Sequence, residues 1–357
     1  MGKKKDSLEL YFHIPFCIKK CDYCDFLSGP ATRAGQEAYI YALLREMKAA
    51  SAIEKRTVDT VFIGGGTPSV PECGIMEKLL QRIGKNFQLA ADAEITIEAN
   101  PGTLTPEKLA LYRRYGINRI SIGLQSPENQ ELRALGRIHN YQQFLESYHM
   151  AREAGFSNIN IDLIFAIPGQ SYEGWIQNLR TVAKLGPEHI SAYSLIIEEG
   201  TPFSARKLDL PDEDTEYRMY EDVAAVLGKY GYYQYEISNY AKKDRNCRHN
   251  EGYWQRKDYL GLGLGAASLV GRERFTNTSD MSEYLENSGN LEKIRTDRET
   301  LTREDEMGEF MFLGLRMTKG VSKKDFQEYF GTSIEKIYGE VLEKYKKQGL
   351  LLEEDGR

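Results

Sequence analysis

Residues 8–24 read LELYFHIPFCIKKCDYC, and the fold and the chemistry both start there. The first part, residues 8–16, reads as a β-strand. Cys17, Cys21 and Cys24 fall in the loop after it, at the C-terminal mouth where parallel α/β folds place their chemistry. Thiolates spaced by three and two residues suit a cubane iron–sulfur cluster held by a single loop. Three protein ligands leave one iron open, as an open zinc position admits water. Two blander readings stand beside this one. The first is a structural zinc site, for which His13 is the nearby fourth ligand; the second is a set of unrelated buried thiols.

Outward from this loop, strand-like runs at residues 8–16, 58–63, 94–99, 119–125, 158–167 and 189–197 alternate with helical stretches at 36–50, 75–87, 106–115, 141–154 and 172–185. In the first helical stretch Tyr39, Leu43 and Met47 share a face, with Ile40 and Leu44 beside it. Gly116, Gly155 and Gly186 each follow a helix, where a left-handed C-cap suits glycine. Thr105-Pro106 reads as an N-cap followed by proline at the first helical position. Strand–helix alternation of this kind specifies a parallel sheet.

The strands also have one polar face. Thr96 and Glu98 alternate with Ile95 and Ile97; Ser121, Gly123 and Gln125 with Ile120, Ile122 and Leu124; Asn160 and Asp162 with Ile159, Ile161 and Leu163. Side chains alternate across a strand. With the apolar sets under outer helices, the polar sets line a lumen, which implies a partly open barrel around a polar ligand. A sheet solvated on one side is the alternative, and it suits antiparallel sheets better. The expected fold is α/β: a partial (β/α)6 TIM-like barrel over residues 1–205, then a mostly helical C-terminal domain over 206–357 that covers the mouth. Helices are expected there at 215–230, 303–317, 323–330 and 334–348, and a strand begins at Gly349–Leu352. The chain stops at Arg357, where a β-wing would be expected to continue, so the C-terminal module reads as truncated at its end.

A chain of 357 residues exceeds the roughly 250–300 at which a single core stops growing, which favours two domains. The composition, 41% hydrophobic and 28% charged, is that of a globular protein. A net charge of −6 gives no basic face, so nucleic acid is a poor partner. Lys3, Lys4 and Lys5 are followed by polar–apolar alternation over residues 6–10 where a signal peptide needs an apolar core. No apolar run approaches the ~18 residues of a spanning helix. A soluble, cytoplasmic protein is expected. The cysteine count of five is odd, which argues against a disulfide framework. Cys73 has no site context and reads as a small buried hydrophobe.

The CxxxCxxC loop resembles the signature of the radical S-adenosylmethionine (SAM) superfamily, in which the open iron of a [4Fe–4S] cluster chelates SAM. Gly64-Gly65-Gly66-Thr67-Pro68 after the second strand resembles that superfamily's glycine motif. More narrowly, residues 8–200 resemble the oxygen-independent coproporphyrinogen III oxidase family. The resemblance implies cluster ligands Cys17, Cys21 and Cys24. It also implies SAM contacts from Tyr11, Tyr23, Gly65, Gly66, Thr67, Glu98, Gln125, Arg137 and Asp162. Two departures separate the chain from the oxidase itself. Phe26 stands where the oxidase has a further Cys, and Cys17 falls near the start of the chain whereas the oxidase carries a substantial extension before its cysteine loop. Cys247–Trp254 instead resembles the HNxxYW motif of the family's haem-chaperone branch. That likeness implies haem as ligand, with His249 as axial ligand, Cys247 as a candidate second one, and Tyr253 and Trp254 stacking on the porphyrin. It implies apo-haem proteins of respiration as recipients and, if SAM is cleaved, an electron donor such as flavodoxin or ferredoxin; peripheral membrane contact is compatible with such a role. Two enzyme readings remain as alternatives: radical decarboxylation of coproporphyrinogen III propionates, and radical SAM chemistry on another tetrapyrrole or small substrate.

Overall fold

A computed structural model describes residues 7–357, so Lys3, Lys4 and Lys5 lie outside it. Strands β1 (Ser7–Ile14), β2 (Thr57–Gly65), β3 (Leu89–Ala99), β4 (Arg119–Gln125), β5 (Ile159–Phe165) and β6 (His189–Ser194) pair in sequence order, each parallel to the next. Between them run helices α1 (Arg33–Ile53), α2 (Cys73–Asn86), α3 (Pro106–Arg114), α4 (Asn129–Ala134), α5 (Tyr141–Glu153) and α6 (Tyr172–Leu185), and α7 (Glu213–Gly228) follows β6. This is the expected (β/α)6 arrangement. The caps form as read: Thr105 Oγ1 accepts from Lys108 N with Pro106 in the first turn, and Gly186 closes α6 at φ 74°.

The apolar face of the strands makes the core. Ile97, Ile122, Leu124, Ile161 and Leu163 are buried with Leu43, Met47, Leu79, Phe144, Trp175 and Leu179 from the helices. Each such side chain removed from water contributes about 1.5–3 kcal/mol before entropy is counted. The opposite, polar face is thereby committed to the inside of the curved sheet.

The C-terminal half is helical as expected in its last part, and it also extends the sheet. Short strands β7 (Tyr233–Gln234) and β8 (Asn239–Ala241) pair beyond β6; β9 (Tyr259–Leu262), β10 (Ala267–Val270), β11 (Glu273–Asn277) and β12 (Arg295–Thr300) pair beyond β1. Helix α8 (Arg248–Trp254) lies between β8 and β9 in the chain, so it crosses from one edge of the sheet to the other. The remaining helices are α9 (Met281–Asn287), α10 (Leu291–Ile294), α11 (Arg303–Gly314), α12 (Lys323–Phe330) and α13 (Ile334–Lys347). The main core reaches Ile294, and a second small core gathers Met307, Val321, Phe326, Phe330 and Ile334.

Two expectations are corrected. No strand forms at residues 349–352: Leu350 and Leu352 are 69% and 81% exposed, with no neighbouring strand to pair with. Of the C-terminal domain expected to cover the mouth, the motif helix α8 also lies elsewhere. It closes the other end, because the strand residues it meets, Thr60, Glu94 and Glu9, lie towards the starts of β2, β3 and β1. Among the described residues, no helix is long and apolar enough to cross a membrane.

Candidate functional site at the two ends of a polar lumen

At the C-terminal end, backbone bonds pin the cysteine loop. Cys17 N donates to Gly29 O at 2.9 Å, Gly29 N to Pro15 O at 3.0 Å, and Asp22 N to Leu135 O at 3.2 Å. His13 Nε2 meets Leu27 O at 2.9 Å, and Tyr11 Oη meets His13 Nδ1 at 3.0 Å, so β1 braces the loop from inside. All three thiols are half-buried. Cys17 Sγ lies 3.5 Å from Thr67 Oγ1, and Arg137 donates to Cys21 Sγ at 3.5 Å. Burial holds the Cys24 thiol above its ordinary value, and the neighbouring Cys21 and Cys17 add to that. Among the described residues no three His, Cys, Asp or Glu side chains are close enough to share a single metal ion. Cys17 and Cys21 both lie near enough to Cys24 to act on its thiol, and a multi-iron cluster takes ligands farther apart than one ion does. Tyr23 packs against Phe203 and sits beside Arg137, and its phenol is raised by burial.

The residues implied for SAM gather at this end on the polar face. Gly65 N donates to Glu98 Oε2 at 3.1 Å. Burial, with the charge of Asp162 adding to it, pushes the Glu98 carboxyl up to about 8. Arg137 donates to Asn100 Oδ1 and to Gly123 O, each at 2.6 Å, while Asn100 Nδ2 donates to Thr67 Oγ1 at 2.7 Å. Thr67, Arg137 and Cys21 thus form one web through Asn100, a residue the sequence reading did not single out. Gln125 ends β4 at φ 71°, a left-handed backbone that is costly for a non-glycine residue and recurs at functional sites.

A ladder then runs along the lumen. Asp162 accepts from Ser121 at 2.9 Å and from Asn160 at 2.8 Å; Asn160 Oδ1 meets His189 Nδ1 at 2.6 Å; His189 Nε2 meets Tyr235 Oη at 2.8 Å. Tyr235 Oη in turn accepts from Cys247 N at 3.2 Å, immediately before α8. Arg119, 2% exposed, lies at this lower end among Glu94, Tyr235 and Cys247.

The lower end is built around His249, which is 1% exposed. Its Nδ1 is 2.7 Å from Thr60 Oγ1 and its Nε2 is 3.0 Å from Tyr253 Oη, so both ring nitrogens are engaged. The ring stacks on Phe62 at 5.2 Å. Burial, with Arg119 and Lys257 nearby, lowers the imidazole to about 3. Cys247 is fully buried and directs its thiol at Glu94 Oε1, 3.7 Å away; burial raises that thiol to about 12. Trp254 lies under the Arg316 guanidinium at 4.2 Å. Cys73 is half-buried against the main core.

A (β/α)6 sheet with a CxxxCxxC loop after its first strand defines a radical SAM protein. Residues 11–182 match the radical SAM superfamily, and residues 301–357 match the HemN C-terminal domain. The chain is 37% identical over 347 residues to the heme chaperone HemW of Bacillus subtilis, spanning 96% of this chain and 92% of that protein. It is 38% identical over 362 residues to heme chaperone HemW of Escherichia coli, spanning 98% and 93%. The chain belongs to the heme chaperone HemW family. The solved structure of Escherichia coli coproporphyrinogen III oxidase (HemN), a radical SAM enzyme, superposes with a TM-score of 0.87 at 24% identity, covering 99% of this chain and 87% of that one. That likeness shows a shared fold.

Proposed function

We propose that this protein is a cytoplasmic haem chaperone that holds a [4Fe–4S] cluster on Cys17, Cys21 and Cys24, binds SAM at the upper end of the lumen, and delivers haem to apo-haem proteins of respiration. The observation that carries the reading is the full-length likeness to heme chaperones in a chain that keeps the HNxxYW helix and has Phe26, 60% exposed, in the place of the oxidase's further Cys. The donor set suits the cluster: three half-buried thiols in one braced loop, with the Arg137 cation against Cys21. Bound there, the cluster would supply an electron-transfer centre with one open coordination position.

The chain's own residues would position SAM. Arg137, fixed by Asn100 and Gly123, pairs with a carboxylate. Burial and Asp162 outweigh the Gly65 N–H and Arg119 and keep the proton on Glu98, and it becomes a stable anion when an ammonium group docks. Asp162, held by Ser121 and Asn160, accepts from ribose hydroxyls. Tyr23, Gly65, Gly66, Thr67 and Gln125 frame this pocket, Tyr11 stands between it and the lower end, and the HNxxYW segment serves the haem end.

The reading is tested by offering the anaerobically reconstituted protein haem and, separately, coproporphyrinogen III. Haem should bind and pass to an apo-cytochrome, with no protoporphyrinogen IX formed. Catalytic conversion of coproporphyrinogen III would overturn the chaperone reading in favour of the oxidase.

A further inference from the structure

Beside α8 lies a cavity of about 430 Å³, within the roughly 300–1,000 Å³ of small-molecule sites. Its walls are aromatic: Tyr11 from β1, Tyr253 and Trp254 from α8, Tyr259 from β9 and Phe312 from α11. The Tyr253 and Tyr259 rings meet edge-on with centroids 4.7 Å apart. Phe312 stands at the rim, 60% exposed. The polar margin is Arg256, Arg274 and the Glu309 carboxylate that both guanidinium groups bond, and Arg274 remains partly open to solvent. An apolar slot with aromatic walls and a guanidinium at its margin fits a flat ring system carrying carboxylates, which is the chemistry of haem.

His249 does not present itself to that cavity. Thr60 and Tyr253 occupy its two nitrogens, and it is absent from the cavity lining. The carboxylate of Glu9 lies 3.9 Å from Nδ1, which favours the tautomer with hydrogen on that nitrogen. Nδ1–H then donates to Thr60, and the Nε2 lone pair faces the phenol of Tyr253. Tyr253 is the residue that touches both the imidazole and the cavity.

We infer that Tyr253 is the protein ligand of haem iron in this cavity, with His249 as the positioning residue behind it. This rests on the haem-chaperone reading and refines its ligand. On binding, the phenol O–H bond breaks, its proton passes to Nε2 of His249 while the Nδ1 proton moves to the adjacent Glu9 carboxylate, so the buried imidazole stays neutral, and the phenolate oxygen forms the bond to ferric iron. The iron stays ferric and no oxidant or reductant is needed. Tyrosinate is an established axial haem ligand, and a hydrogen bond from the ring behind it fixes its geometry.

The experiment is a titration of ferric haem into the reconstituted wild-type protein and into Tyr253→Phe, His249→Ala and Phe312→Glu, with absorption and resonance Raman readouts. The wild type should show phenolate-to-iron charge transfer. Tyr253→Phe, which keeps the ring, should lose that signature and weaken binding at least tenfold while cluster absorbance and melting temperature stay near wild type. His249→Ala should keep phenolate ligation with a shifted phenolate stretching frequency. Phe312→Glu, at the rim, should weaken binding with the wild-type iron spectrum. An imidazole-type spectrum that His249→Ala abolishes and Tyr253→Phe leaves intact overturns the assignment and leaves the chaperone reading standing. A wild-type protein that neither binds haem nor passes it on defeats both.

Discussion

Single atoms decide how closely the two ends of the lumen can be built. At the upper end the deciding position is Gly66. A Cβ there would lie 2.8 Å from Phe16 O, 2.9 Å from Ser28 Cβ and 3.0 Å from Cys17 Sγ. Two of these neighbours belong to the backbone and Cβ of the braced loop, so they cannot swing aside as the end of a long side chain does. Overpacking of this kind costs about 1–3 kcal/mol. Gly66→Ala should therefore lower the melting temperature and displace Cys17, leaving less iron per chain after anaerobic reconstitution. Iron content and melting temperature equal to wild type would show that the loop gives way freely. Much of this end was legible from residues alone. The cysteine spacing marked the loop, and the two-residue period of β3, β4 and β5 assigned Glu98, Gln125 and Asp162 to the lumen. The same period could have found Arg119, which shares a face with Ser121, and Glu9, which shares one with Tyr11. Asn100 escaped because it lies one residue past β3, where alternation no longer says which way a side chain points.

Among elements, the parallel strands and their helices were readable because each carries its own signal. Residues 119–125 and 172–185 form β4 and α6 at the expected bounds. Helix α4 has six residues, too few for a periodic pattern. Strands β7–β12 have two to six residues each; they form because the parallel sheet offers unpaired edges, a cause no local window contains. Nor could sequence place α8 at the lower end, since its position follows from the crossover between β8 and β9. The β9–β12 side is fastened to α1 by one carboxylate. Glu46, 1% exposed, accepts from Gly263 N at 2.9 Å, Asn277 Nδ2 at 2.6 Å and Tyr284 Oη at 2.5 Å. Burial outweighs these donors and raises its carboxyl from 4.5 to about 7. Between those values the native chain holds a proton that the unfolded chain has released, so stability falls as pH rises from about 5 to about 7. The gap corresponds to on the order of 3 kcal/mol, present at pH 5 and lost at pH 8. Urea midpoints of the wild type should thus drop relative to Glu46→Gln across that window. A constant difference between the two from pH 5 to pH 8 would refute the role of Glu46.

For the whole molecule, the proposed function makes the sheet a spacer between two sites with different duties. Along β2, Thr60 at the His249 end and Gly65 at the Glu98 end are five residues apart, roughly 16 Å of strand at ~3.3 Å per residue. The ladder from Asp162 through Asn160 and His189 to Tyr235 fills the distance. Neither Cys17 nor His249 belongs to it, and each makes its side-chain hydrogen bonds within its own end. Tyr11 reaches towards both ends, bonding His13 behind the cysteine loop and lining the α8 cavity, but Cys17 and His249 share no hydrogen-bond partner, and groups this far apart on those terms usually act additively, within about 0.5 kcal/mol. Cys17→Ala should then lose the cluster and keep its haem affinity, and His249→Ala should keep the cluster and alter only the haem spectrum. The double variant should show the two losses side by side, with a haem affinity within about twofold of His249→Ala alone. Haem binding that collapses in Cys17→Ala, measured by the same titration, would mean that the ladder transmits the state of one end to the other. The sheet would then be a coupling element, and the two sites would have to be treated as one.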